Sequence, residues 1–259
     1  MTSSAFVKSL GRGLGILEIF GNSTQRLTLT DVAKLSKLNK TATMRFLQTL
    51  CALGYLKRDV DKKYFLSTKI LSLSFGFFNT SKLRSISKPH VDDLSSDLNK
   101  TVNLAILDDY EALYLYRKEV VRYLKYDLYD GSRLPAYCTS VGKVLLAGLD
   151  DSELKKRISG MNLKPITTKT ITSKITLWND IMGTRKRGYS ICDRELSMDL
   201  YSMAVPLIND KGKVVAAINA TMDARDGNSQ MRKIVLEKLI QKGRLISELL
   251  GYRGPYPKL

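Results

Sequence analysis

The run Lys40-Thr41-Ala42-Thr43-Met44-Arg45-Phe46-Leu47-Gln48 carries side chains that can read nucleic acid. Arg45 and Gln48 have forked ends that pair with guanine and adenine edges, while Lys40, Thr41 and Thr43 reach backbone phosphate. Helical spacing through Leu53 places Phe46, Leu47, Leu50 and Leu53 on one face and Lys40, Thr41, Thr43, Met44, Arg45 and Gln48 on the other, with Gly54 as the stop. A second constellation, Pro135 to Lys143, enters a helix through the hydroxyls of Thr139 and Ser140. Free amides near Ser140 and Val141, together with the helix dipole, favour a carboxylate there. The competing account is that Thr139 or Ser140 serves only as an N-cap.

Amphipathicity alone would give a polar face to any surface helix, so the elements around Lys40–Leu53 decide what that face means. Leu10, Leu14, Leu17 and Phe20 recur at helical spacing. A short helix, Leu29–Ser36, opens with Thr30 as N-cap and buries Leu29, Val32, Ala33 and Leu35. It leads through Lys37-Leu38-Asn39 directly into Lys40, the spacing of a helix-turn-helix, and Thr30 joins the candidate DNA-facing residues. Tyr55–Arg58 and Tyr64–Leu66 read as strands of a hairpin following a recognition helix, that is, a wing. Arg58, Lys62 and Lys63 at its tip either contact phosphate or line a solvated turn. The apolar stretch Thr68–Leu83, with Phe75, Phe77 and Phe78, reads as a linker helix that self-associates or packs on its own domain.

Charge supports this division. The 259 residues carry a net charge of +17, and residues 1 to 81 hold 12 Lys/Arg against 4 acids, which makes the N-terminal third about twice as basic per residue as the remainder. Such a field attracts polyanions. Cys51, Cys138 and Cys192 form no CxxC pair and His90 is the single histidine, so no metal or other cofactor is expected. With no signal-peptide pattern and no apolar run near 18 residues, the expectation is a cytoplasmic protein with no membrane partner.

Beyond Ser85 the pattern predicts a helix at Pro89–Leu98 and strands at Val102–Leu107, Ala112–Arg117 and Arg122–Tyr126. A helix from Thr139 and helices at Ser152–Ser159 and Leu177–Lys186 follow. Strands at Tyr189–Cys192, Tyr201–Leu207 and Val214–Met222 precede a closing helix at Gln230–Leu250. This is an α+β arrangement, divided into a winged helix-turn-helix domain (1–67), a linker helix (68–84) and an effector-binding domain (85–259) with a sheet flanked by helices.

The segments "SLGRGLGILEIF", "TLTDVAKLSKLNKTATMRFLQTLCALGYL" and "YFLSTKILSLS" resemble the DNA-binding module of the IclR family of transcription regulators. "GSRLPAYCTSVGKVLLAGL", "RGYSICDRELSMDLYSMAVPL" and "KGKVVAAINATMDA" resemble its effector domain, in the same order, and "LPAYCTSVGKVLLA" is similar to the subgroup that responds to protocatechuate and hydroxybenzoate. The resemblance implies a GAF-like effector domain with a central antiparallel sheet, dimers formed through the N-terminal half, and tetramers on DNA. It also implies a pocket at Thr139, Ser140 and Val141 completed by Asp193, Ser202, Asn219 and Thr221. Asn219 and Thr221 alternate along one strand and so face one side, and they depart from the serines common in the family. Arg122 and Arg133 are further candidates for a carboxylate contact. The partners so implied are double-stranded operator DNA, a small carboxylate effector and further copies of the chain.

Two rivals remain at this point. An enzyme would use Cys138 or Ser140 as nucleophile, yet His90, beside Pro89 at a helix start, offers no nearby base. A DNA-binding architectural protein with a degenerate pocket would look similar in sequence.

Overall fold

The computed structural model describes residues 5–21, 23, 25–80, 82–121, 128–225, 229–257 and 259, with the side chains at 75 and 77–80 left aside. The chain divides into two compact units, Met1–Thr80 and Ser81–Leu259. Among the described residues no helix is long and apolar enough to cross a membrane.

The first unit runs α1 (Lys8–Gly21), α2 (Leu29–Ser36), α3 (Lys40–Ala52), the two-stranded antiparallel β1 (Leu56–Arg58) and β2 (Tyr64–Leu66), and α4 (Lys69–Thr80). Its core is Ile16, Phe20, Val32, Leu47, Leu50, Leu56 and Tyr64. The cap of α2 is Thr28 rather than Thr30: Thr28 Oγ1 accepts from the Asp31 amide at 3.2 Å and Asp31 Oδ2 accepts from the Thr28 amide at 2.9 Å. This reciprocal box satisfies two helix-end donors, which a cap at Thr30 would not. Lys37 turns the chain in the left-handed region (φ 55°), and Asn39 Oδ1 then caps α3 through the Ala42 amide at 2.8 Å. Gly54, at φ 79°, ends α3 as its position suggested. The apolar stripes are narrower than the sequence pattern implies, for Leu10, Leu14, Leu35 and Leu53 are exposed.

In the second unit α5 (Lys82–Leu98) precedes β3 (Thr101–Asp108), β4 (Glu111–Lys118) and β5 (Arg133–Pro135). A 3-10 turn (Ala136–Cys138) leads into α6 (Ser140–Ala147), α7 (Asp151–Gly160) and α8 (Lys174–Arg187). The unit then adds β6 (Ser190–Asp193), β7 (Leu200–Ile208), β8 (Val214–Asp223) and α9 (Ser229–Leu249). The helix expected from Pro89 starts at Lys82, with Pro89 inside it. The strand expected at Arg122–Tyr126 lies outside the described residues.

Among the described residues six strands form one antiparallel sheet in the order β5-β4-β3-β8-β7-β6. One face packs Val102, Leu104, Met203, Val205 and Ile218 against Val91 and Leu94 of α5 and Val235, Leu239 and Ile246 of α9. The other packs Ala105, Ala112, Ala204 and Ala217 against Val141, Val144 and Leu145 of α6 and Leu177 and Ile181 of α8. Strand alternation explains the division, and the small residues on the second face bring α6 close to the sheet. At Gly142 a Cβ would lie 2.3 Å from the Ala136 carbonyl oxygen of the preceding turn. That glycine lets the start of α6 sit against the preceding turn.

Candidate functional site

A pocket lies where α6 begins over the second face of the sheet. Thr139, Ser140, Ser202, Asn219 and Thr221 line it. The sheet register explains why. Asn103 of β3 stands opposite Arg117 of β4 on one side and Asn219 of β8 on the other, and Thr221 stands opposite Ser202, which stands opposite Cys192. Two polar rows thus cross an otherwise apolar face. Tyr114, Leu128, Leu134, Leu196 and Leu200 supply apolar walls.

At the mouth of α6 the two hydroxyls divide their work. Thr139 is the N-cap: its Oγ1 accepts from the Gly142 amide at 3.2 Å while donating to the Pro135 carbonyl at 3.2 Å. The amides of Ser140 and Val141 have no acceptor among the described residues. Val141 itself does not line the pocket, its side chain being buried in the core. Ser140 Oγ accepts from Asn219 Nδ2 at 3.2 Å. Behind it Asn219 Oδ1 accepts from Asn103 Nδ2 at 2.7 Å, and Asn103 Oδ1 accepts from Arg117 Nη1 at 2.8 Å. Arg117 also donates through Nε and Nη2 to Glu119, at 3.0 and 2.8 Å.

Asp193 requires a correction. It is exposed, lies 3.4 Å from Arg194 Nη1, and does not line the pocket. Its neighbour Cys192 points inward instead, because adjacent strand residues face opposite sides. Arg133 is drawn to Asp108 and Glu111 on the exposed edge strand, and Arg122 lies outside the described residues. The arginine at the pocket is Arg117. Sequence spacing hides it: Tyr114 and Arg117 are three apart and would face opposite sides of a regular strand. A register shift between Leu104 and Ala105 leaves Leu115 as the extra residue of β4, which turns both toward the pocket. Asn103 carries no such complication, since a polar residue between Val102 and Leu104 marks the pocket side of β3 once the buried face is known.

Behind the pocket Lys143 is buried, its Nζ 2.8 Å from Asp180 Oδ2 and in contact with Glu195 Oε1. Burial opposes the lysine charge, but the carboxylates of Glu195 and Asp180 outweigh it and hold the pKa above the usual value. Burial pushes the Cys138 thiol up to about 12, so at neutral pH it stays protonated and is a poor nucleophile. The Cys192 thiol is raised by the same cause and donates to the Cys138 carbonyl at 3.0 Å.

In the first unit the exposed side of α3 presents Lys40, Thr41, Met44, Arg45 and Gln48, and none of Lys40, Arg45, Lys62 or Lys63 has a carboxylate partner among the described residues. Arg58 is exposed and stacks on Tyr64 at 5.4 Å, and Thr30 is exposed in the first turn of α2. Thr43 is the second correction: it is fully buried and its hydroxyl donates to the Asn39 carbonyl at 2.9 Å, so it faces the core side of α3.

Comparisons with known proteins identify the family. The family description "IclR helix-turn-helix domain" matches residues 9–60 and "Bacterial transcriptional regulator IclR C-terminal" matches residues 76–248. The chain is 34% identical over 249 residues to the Pca regulon regulatory protein of Pseudomonas putida, covering 95% of this chain and 85% of that one. It is 34% identical over 220 residues to the p-hydroxybenzoate hydroxylase transcriptional activator of Acinetobacter baylyi, covering 83% and 80%. A crystal structure from Rhodococcus sp. RHA1 superposes with a TM-score of 0.81 at 33% identity over 95% of this chain and 98% of that one. An IclR homologue from Microbacterium hydrocarbonoxydans, crystallised with 4-hydroxybenzoate, shares the fold at a TM-score of 0.81 and 22% identity, over 94% and 99%. With both family descriptions matched in order and a helix-turn-helix joined to a helix-flanked antiparallel sheet, the chain belongs to the IclR family of bacterial DNA-binding transcriptional regulators.

Proposed function

We propose that this regulator answers to a small carboxylate of the hydroxylated-benzoate class and controls genes of aromatic-acid breakdown. The observation that carries the reading is the pairing of two free amides at the start of α6 with buried polar side chains on the sheet beneath. Unpaired N–H groups at a helix start favour an anion, and the leucine and tyrosine walls suit a ring. Ser140, Val141, Ser202, Asn219 and Thr221 hold and read the effector, with Thr139 shaping the helix entrance. The regulators named above from Pseudomonas and Acinetobacter, and the homologue bound to 4-hydroxybenzoate, support the same class.

On the DNA side Arg45, Gln48 and Met44 meet base edges, while Thr30, Lys40, Thr41, Arg58, Lys62 and Lys63 meet phosphate. Each recognition helix covers only a few base pairs, so the protein works in the cytoplasm as a homodimer or tetramer on a two-fold operator. Exposed Leu71 and Leu73 on α4 supply part of the apolar surface for self-association. Regulation without catalysis fits the protonated Cys138 thiol.

Calorimetry of the full chain against hydroxybenzoates, protocatechuate and short aliphatic acids tests the effector. Saturable binding of a hydroxylated benzoate is expected. Binding of uncharged apolar molecules only, or of no acid, would contradict the reading.

A further inference from the structure

The hydrogen-bond chain under the pocket has a direction, and its far end sets it. Arg117 carries donors and no acceptor, so the Asn103 atom at 2.8 Å from Nη1 is the carbonyl oxygen. Asn103 therefore turns its amide group to Asn219, which must receive it on oxygen, at 2.7 Å. Asn219 in turn offers its amide group to Ser140 Oγ at 3.2 Å. Ser140 is left as an acceptor toward the sheet, and its own proton has no acceptor among the described residues. That leaves the proton available to a ligand in the pocket that Ser140 lines. The neighbouring groups are spent in the opposite sense: the Thr139 hydroxyl donates to the Pro135 carbonyl, that of Thr221 to the Thr101 carbonyl, and both asparagine oxygens are occupied by donors.

We infer that Arg117 is a specificity-determining positioning residue: acting through Asn103 and Asn219, it fixes Ser140 as a donor toward the pocket, so that the site takes a carboxylate and rejects the uncharged amide of the same shape. This rests on the effector reading above. The asparagines alone would not do it, since an Asn–Asn–Ser chain can run in either sense. Reversed, it would present a Ser140 lone pair to the ligand, which repels a carboxylate and welcomes an amide N–H. The three members of the relay, Asn103, Asn219 and Ser140, are almost wholly buried, so water cannot stand in for a missing partner at low cost. Glu119 pairs with Arg117 and leaves the relay little net charge, so what reaches the ligand is the orientation of dipoles.

The test is the affinity ratio of 4-hydroxybenzoate to 4-hydroxybenzamide, measured by calorimetry on the full chain. Wild type should prefer the acid. Asn103→Leu, which leaves the Arg117–Glu119 pair in place, should lower the ratio about tenfold or more, the value of a hydrogen bond to a charged group. Ser140→Ala should lower it similarly, and the double variant no further than either single one. Arg117→Met should behave as Asn103→Leu does, and Arg117→Lys, again donor-only, should restore the preference. A structural role for Arg117 would move both affinities together and leave the ratio unchanged. An unchanged ratio in Asn103→Leu, or losses that multiply in the double variant, would overturn the inference while leaving the effector reading intact. Failure of wild type to bind either probe would overturn the hydroxybenzoate reading and this inference with it.

Discussion

On α3 the cations Lys40 and Arg45 stand exposed with no carboxylate partner among the described residues, whereas Lys143 in α6 is 1% exposed and held between Glu195 and Asp180. The first arrangement keeps positive charge available to a polyanion; the second removes it from any field. The pocket in front of Lys143 is lined mainly by neutral polar and apolar groups, and its arginine is already paired with Glu119. Net charge thus marks the DNA-facing region, while oriented neutral dipoles mark the effector region. The consequence is a difference in how each side should respond to salt: screening weakens the first strongly and the second little.

The largest expected effect breaks the buried side of this comparison. Lys143→Met leaves two carboxylates packed without their cation, and removing one partner of a buried pair costs about 3 to 5 kcal/mol. Denaturant unfolding should report it as a loss of stability; a change under 1 kcal/mol would mean that the cluster is solvated. Next in size, Ser140→Leu fills the mouth of α6 and should weaken effector binding by about a hundredfold or more, with DNA affinity in the absence of effector unchanged, since the two sites lie in separate units. Effector titration beside a DNA gel shift checks both halves.

On the exposed side, Arg45→Ala and Gln48→Ala should each cost about 1 to 3 kcal/mol on the cognate operator and relax preference at one position. Lys40→Ala should weaken all duplexes alike and reduce the salt slope by about one counterion. Quantitative footprinting at several salt concentrations separates these outcomes, and equal losses on cognate and random DNA in the Arg45 variant would remove it from base reading. The smallest effect is at Thr28→Ala, which removes the cap of α2 at about 1 kcal/mol. The Thr28 hydroxyl and amide hold the Asp31 carboxyl below its usual pKa. The Asp31 share of that cap is therefore fully present above the ordinary aspartate range and lost as pH falls through the lowered value. The gap between the thermal melts of wild type and Thr28→Ala should narrow in acid, where only the pH-independent bond from the Asp31 amide to Thr28 Oγ1 remains; a constant gap would show that the box is not ionic.

The DNA-facing module was legible because its signals are local. Helical spacing over Lys40–Leu53, a three-residue turn and Gly54 need no tertiary information, and the errors there are small ones of phase: Thr28 for Thr30, and Thr43 on the core side of its helix. The pocket was legible at its helix entrance, where Thr139 and Ser140 announce an N-terminus, and at Asn219 and Thr221, whose alternation survives in the structure. Arg117 was hidden by a bulge that breaks the two-residue period of β4, and Asn103 by its position on a strand whose pocket side depends on pairing with β8. Asp193 was misplaced for the converse reason, since the resemblance gave the right strand but the outward-facing residue of it.

If occupancy of the α6 pocket governs DNA binding by the basic module, one titration shows it. Duplexes selected by the full chain from a random pool would be titrated by fluorescence anisotropy with and without saturating 4-hydroxybenzoate, in wild type and in Ser140→Leu. A shift in DNA affinity or footprint with the acid is expected for wild type and none for Ser140→Leu. Identical DNA binding by wild type with and without an acid that calorimetry shows to be bound would contradict it.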